Sequence, residues 1–146
     1  MREILFRGKR IDNGEWVEGF FVAKVDPLLG IMTSLILTQE LDANGILRSN
    51  MTWHKVDPET VGQYTGRIGK NGKKVFENDI LQMFTIWEDG TIGKGLVCAV
   101  QWLTNDQCYV LTRGGSIVDD FGNYGRPEYY EIIGNIHDNP ELLEEG

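Results

Sequence analysis

The sequence predicts a mainly β fold: antiparallel hairpins, a C-terminal SH3-like small barrel and one short C-terminal helix. Three observations carry this. The dipeptides Asn13-Gly14, Asn44-Gly45, Asn71-Gly72 and Asp89-Gly90 suit two-residue type I′ hairpins, whose two central positions both need positive φ. Between them the apolar residues alternate with period two, as half-buried strands require. Glycine is abundant, 18 of 146 residues, or about 12% against a usual ~7%, which points to many tight turns.

Taken in order, residues 1–60 read as an N-terminal β-rich subdomain. Val17, Gly19, Phe21, Ala23 and Val25 share one strand face, while Trp16, Glu18 and Lys24 lie on the other. The stretch from Leu28 to Leu37 is the longest apolar-rich run, and it is broken by Gly30, Thr33 and Ser34. It falls far short of the roughly 20 residues a membrane helix needs. The polar turn Asp57-Pro58-Glu59-Thr60 offers at most one helical turn and marks the softest boundary. Beyond it, residues 61–138 carry strands near 61–65, 73–76, 80–87, 92–103, 107–113 and 129–136, at the spacing of a small antiparallel barrel. Arg113-Gly114-Gly115-Ser116 reads as a further tight turn. Residues 139–146 form the helix and tail, with Asn139 as cap and Pro140 at the first helical position.

Length and composition set outer limits. A chain of 146 residues with 41% hydrophobic and 25% charged residues is one compact domain or two small subdomains. The N-terminal apolar run Ile4-Leu5-Phe6 stops at Arg7, too short for the core of a signal peptide. A soluble protein of the cytoplasm is expected, with no membrane contact and with two reduced cysteines. Fourteen Lys and Arg against 22 Asp and Glu give a net charge of -8. Residues 119–146 hold eight of the acids and only Arg126 as a base, a net of -7; the first 118 residues carry 14 acids and 13 bases, a net of -1. The acidity is therefore a C-terminal property of a nearly neutral body, which leaves room for a basic face.

Three motif groups resemble a known family. Gln63-Tyr64-Thr65-Gly66, Asn71-Gly72-Lys73 and Phe76-Glu77-Asn78-Asp79-Ile80 closely resemble the signature of the YopX-like proteins encoded by bacteriophages and prophages. Glu131-Ile132-Ile133-Gly134-Asn135-Ile136 with Asp138-Asn139-Pro140-Glu141-Leu142-Leu143 is similar to that family's C-terminus, and Arg2-Glu3-Ile4 with Phe6-Arg7 to its start. The resemblance implies a phage or prophage origin, a bacterial cytoplasm and a largely β fold. It brings no catalytic or ligand residues. Two departures stand out: Arg67-Ile68-Gly69 replaces the family's Leu-Lys-Asp, and Glu77-Asn78-Asp79 replaces Glu-Gly-Asp.

The residues that could do chemistry were weighed one group at a time. Gly66 to Lys74 superficially resembles a phosphate-binding loop. Five residues rather than four separate Gly66 from Gly72, and Lys74 stands where a magnesium-ligating hydroxyl belongs. A plain hairpin is expected there; the alternative is an exposed cationic tip of Arg67, Lys70, Lys73 and Lys74 that touches nucleic-acid phosphates or an acidic partner. If the turn after Leu103 centres on Asn105-Asp106, Cys108 faces Leu103, five residues from Cys98, and about 17 Å separates the pair. That rules out a disulfide and leaves Cys98 in the core.

His54 and His137 have no ligand at metal spacing, so no metal and no cofactor is expected. Ser34, Ser49 and Ser116 lack a nucleophile context. The pairs Asp119-Asp120 and Glu88-Asp89 read as turn acids rather than as acid-base machinery. Trp16, on the face with Glu18 and Lys24, is expected to be more exposed than Trp102; ordinary half-burial is the default reading for it, and an oligomer contact or a stacking platform is the alternative.

Two function classes remain. One is a non-enzymatic accessory protein that binds host or phage macromolecules and forms a homo-oligomer. The other is a small-ligand-binding or carboxylate-based enzymatic site assembled in the barrel. Within the first class, nucleic acid competes with protein as partner.

Overall fold

The computed structural model describes residues 2–41, 43–123 and 126–144. The chain divides into two compact units, Met1–Tyr64 and Thr65–Gly146. Eleven strands account for the architecture: β1 (Phe6–Lys9), β2 (Trp16–Val25), β3 (Met32–Leu41), β4 (Leu47–Lys55), β5 (Gly62–Ile68), β6 (Lys74–Phe76), β7 (Asp79–Ile86), β8 (Ile92–Leu103), β9 (Cys108–Arg113), β10 (Ser116–Asp120) and β11 (Tyr130–Asn135). All the pairings described below are antiparallel, and among the described residues helix is confined to short 3-10 turns.

In the first unit the hydrogen-bonded order is β4-β3-β2-β1-β5. β2 turns into β3 with Phe20 opposite Leu37 and Val25 opposite Met32. Ile36 is fully buried, with Ser34, Leu35, Leu37, Val56, Thr60 and Tyr64 also inside, and the Phe6 and Phe21 rings meet at 5.6 Å. The expected turn at 57–60 is a 3-10 turn over Pro58–Thr60. It fastens β1: the Lys9 amide donates to Thr60 Oγ1 at 2.8 Å, and the Asp57 amide donates to the Lys9 carbonyl at 2.9 Å. Lys9 is half-buried and Thr60 buried, and polar groups so placed need these partners.

β5 continues past Tyr64 into the second unit, where β6 pairs with it. The other strands of that unit form a sheet of order β10-β9-β8-β7-β11. Val75, Leu81, Met83, Cys98, Val100, Leu111, Phe121 and Tyr130 make its core, with Phe121 edge-on to Tyr130 at 5.4 Å. Cys108 lies opposite Leu103, as the Asn105-Asp106 register requires. Both cysteines are free, and Cys98 is buried; burial pushes its thiol pKa above the ordinary value.

Three expectations need correction. The hairpins at Gly14, Gly45, Gly72 and Gly90 are all present, with φ of 71, 77, 75 and 87. They are not type I′ turns, because the preceding Asn or Asp is absent from the left-handed region, which among described non-glycine residues holds only Asn78 and Gln107. At two of them the Gly amide closes a four-residue turn, Gly72 N to Gly69 O and Gly90 N to Trp87 O, each at 2.9 Å. This is the three-residue loop ending in a left-handed glycine. Type I′ geometry appears at Gly114-Gly115, where φ is 58 and 80 and Arg113 faces Ser116.

The second correction is that no closed SH3-like barrel forms. Among the described residues the sheet stays open, with β10 and β11 at its two ends, and β6 pairs with β5 instead of joining it. The third concerns the C-terminal helix, which shrinks to a 3-10 turn over Pro140–Leu143. Asn139 does not cap it. Its Oδ1 accepts instead from the Asn135 amide at 3.3 Å, and four residues cannot repay the cost of nucleating an α-helix. Residues 145 and 146 of the expected tail lie outside the described residues.

The Phe76-Glu77-Asn78-Asp79-Ile80 segment is a knot of backbone polar groups. Asp79 is buried, and its Oδ2 accepts from the Phe76 amide at 2.8 Å. Asn78, at φ 75, donates its amide to Val100 O at 2.8 Å and accepts from the Ile136 amide at 3.0 Å. Gln101 Nε2 adds a bond to Asn78 Oδ1 at 3.2 Å. Asn is the non-glycine residue best suited to this φ, which explains how it replaces glycine here. The C-terminal motif behaves alike: Asn135 Oδ1 accepts from the amides of His137 and Asp138 at 3.0 and 2.9 Å, and a methyl on Gly134 would sit 2.5 Å from Asn139 Oδ1.

Two predictions follow from packing. A methyl on Gly19 would run into the Leu37 carbonyl, so Gly19→Ala should lower the unfolding free energy by about 2 kcal/mol or more, read from urea denaturation. Burial raises the Glu77 carboxyl above its ordinary 4.5. The folded state therefore holds that proton more tightly than the unfolded one, and stability falls as pH rises from 4.5 through the raised folded value. Glu77→Gln should remove this loss, leaving the variant more stable than the parent at about pH 7 and the two converging below 4.5, as urea midpoints across that range would show.

Candidate functional site

The basic hairpin between β5 and β6 is the first candidate. Its tip is a tight loop, with the Gly69 amide on Lys73 O at 2.8 Å. Lys70 and Lys73 are exposed, whereas Arg67 and Lys74 are half-buried. Arg67 folds back onto its own unit: its guanidinium donates to Gly122 O at 3.1 Å and lies 5.4 Å from the Phe121 ring centre. Lys70 Nζ stands 4.8 Å over the Phe84 ring, and Asn71 Nδ2 reaches Glu131 Oε1 at 3.3 Å. The four cations therefore do not present one face. Two of them brace aromatic rings of the unit, a contact of about 0.5–1 kcal/mol at an exposed site.

These carboxylates act on the backbone. Asp119 Oδ1 accepts from the Asp120 amide at 2.7 Å, Asp120 Oδ1 from the Gly122 amide at 2.7 Å, and Asp89 Oδ1 from the Thr91 amide at 2.9 Å. His54 Nε2 bonds Thr38 Oγ1 at 3.0 Å. Among the described residues, no three His, Cys, Asp or Glu side chains gather as a metal site. Ser34 is buried on β3, Ser116 closes the Gly114-Gly115 turn, and the side chain of Ser49 lies outside those described.

An open groove of about 270 Å³ crosses the second unit's sheet, lined by Met83, Leu96, Cys98, Leu111, Val118 and Asp119. It is the unclosed interior of the expected barrel. Its walls are mostly apolar, and its one carboxylate is held by the Asp120 amide.

The aromatic candidate changes identity. Trp16 is half-buried, with the Arg7 guanidinium 4.9 Å from its ring centre. Trp102 is 43% exposed, and Trp53 and Trp87 are 55% and 58% exposed. The order expected for Trp16 and Trp102 is thus reversed. Trp16 pairs with Lys9 on β1, the strand from which Arg7 reaches its ring.

The most exposed apolar surface lies elsewhere, on the β2–β3 hairpin. Residues 22–32 are exposed without interruption. Leu28 and Leu29 at its tip are 92% and 72% exposed, and Met32 is 65% exposed. The tip is nonetheless built firmly. Asp26 Oδ1 accepts from the amides of Leu28 and Leu29 at 2.8 and 3.1 Å, and its carbonyl accepts from Gly30 at 2.8 Å. Gly30, at φ 67, supplies the left-handed position. The apolar run from Leu28 to Leu37 was the available sequence signal, but it splits: residues 34–37 are buried and 28–32 are not. Periodicity alone could not divide it.

Comparisons place these features in context. No curated protein matches the chain. Among solved structures it is similar to protein EF1440 from Enterococcus faecalis, at 19% identity over 98% of this chain and 99% of that one, with a TM-score of 0.53. That likeness shows a shared fold. The family model described as YopX protein matches residues 6–144, nearly the whole chain and all of the motifs whose turns are locked above. The chain therefore belongs to the YopX family.

Proposed function

We propose that the protein is an accessory protein of phage or prophage origin that works in the bacterial cytoplasm by binding another protein rather than by catalysis. The observation that carries this reading is the β2–β3 hairpin, a hydrogen-bonded tip that holds Leu28 and Leu29 in solvent. Exposed apolar patches of this kind mark interaction sites on soluble proteins. No helix among the described residues is long and apolar enough to cross a membrane. Of the acids in the two pairs, Asp89, Asp119 and Asp120 each accept from a backbone amide.

Nucleic acid is the second reading, favoured by the exposure of Lys70 and Lys73 at one tip. Arg67 weakens it, since its guanidinium is turned onto Phe121 and Gly122, and the net charge of -8 opposes it at long range.

Affinity capture from a prophage-carrying bacterium, with and without nuclease, tests the main reading. A nuclease-resistant protein partner that is lost with Leu28→Asp/Leu29→Asp is expected; capture of nothing, or of nuclease-sensitive material alone, would sink it. For the second reading, fluorescence anisotropy with short DNA and RNA at low salt should show no affinity, for the parent and for Lys70→Ala/Lys73→Ala/Lys74→Ala alike. Salt-dependent binding lost in the triple variant would replace protein with nucleic acid as the partner.

A further inference from the structure

We infer that the β2–β3 hairpin is a self-association arm whose partner is a second copy of this chain. The inference rests on the reading of the protein as a binder and names the partner. Beyond Phe21 the hairpin consists of four residue pairs, from Val22 opposite Leu35 to Val25 opposite Met32, about 14 Å of ribbon. Successive residues of a strand point to opposite faces, yet Val22 and Lys24 on one face and Ala23 and Val25 on the other are all exposed. On β3 the partners Ser34 and Leu35 are buried and Thr33 is half-buried, so the ribbon is exposed on both strands only at its outer pair, Val25 with Met32. The arm is apolar on both sides and at its tip, with only Lys24 and Asp26 charged between residues 22 and 32.

Charge and area argue for a second copy. Lys24 and Asp26 cancel, so the arm has no net charge with which to select a polyanion, a basic protein or an acidic membrane surface. Interfaces between identical subunits are the more apolar and less charged class, and this arm has that composition. At about 100 Å² per fully buried Leu-sized side chain, the six large aliphatic residues exposed on it (Val22, Val25, Leu28, Leu29, Ile31, Met32), with Phe20 and Trp53 at its base, offer roughly 500 Å² of apolar surface. A single arm is therefore too small for a stable interface. Two arms exchanged about a two-fold axis, each with the surface that receives it, reach the roughly 1,600 Å² of a standard interface. Only a partner that carries the same arm supplies that doubling.

Sedimentation equilibrium of the full chain between about 1 and 100 µM tests this. The parent should associate, and Leu28→Asp/Leu29→Asp should weaken association by at least about a hundredfold, with an unchanged far-ultraviolet dichroism spectrum because both side chains are solvent-facing. Ile117→Asp, at an exposed apolar site on β10, should leave association unchanged. A parent that stays monomeric across the range overturns the inference, as does a double variant that associates as tightly as the parent or an Ile117→Asp variant that dissociates equally. If the parent is monomeric yet captures a nuclease-resistant partner through Leu28 and Leu29, the self-association fails while protein binding stands. If it associates through the arm and captures nothing else, the self-association stands while the binding of another protein fails.

Discussion

The second unit depends on one buried carboxylate. Asp79 accepts the Phe76 amide inside the turn between β6 and β7, and that bond fixes the backbone that carries Asn78. Asn78 in turn serves β8 through Val100 and the end of β11 through Ile136. A single turn thereby ties two strands and the segment after a third. A buried amide left without its acceptor would cost about 1–3 kcal/mol. Little freedom remains at these positions.

The same logic runs through the other recurrent motifs. Thr65 Oγ1 donates to Val75 O at 2.8 Å and accepts from the Arg67 amide at 3.2 Å, which holds β5 against β6. Asn135 and Asn139 exchange backbone and side-chain bonds around Gly134. The YopX signature in this chain is thus a set of turn locks. Its Asp, Asn and Thr side chains stabilise irregular backbone, which an all-β protein with short connections has in quantity. The most exposed apolar surface lies away from the signature, on a hairpin where the sequence shows only an apolar run.

How much was legible varied with the range of the interactions involved. The strands of the second unit were readable because period-two alternation and turn dipeptides are local, and the Cys108–Leu103 register followed from one turn. The type of the glycine turns was not readable. Asn and Asp tolerate positive φ but do not demand it, and flanking bonds such as Trp87 N to Thr91 O at 2.8 Å selected the looser loop. Barrel closure also escaped, since it depends on which neighbour β6 takes and not on β6's own residues. The exposure of Trp16 was misjudged for a related reason: alternation gives the face, while Arg7 on the neighbouring strand decides what covers it.

The sequence by itself determined the secondary structure class, the positions of the hairpins, the separation of the cysteines and the family, because each rests on neighbours within a few residues or on a contiguous motif. Tertiary structure alone decided that the sheet stays open, that Arg67 turns inward while Lys70 and Lys73 remain in solvent, and that the apolar run from Leu28 divides into a buried strand and an exposed arm. Burial is set by what lies opposite in space. Residues 34–37 are buried beside β2, while residues 28–31 extend past its end and Met32 meets only its last residue, Val25.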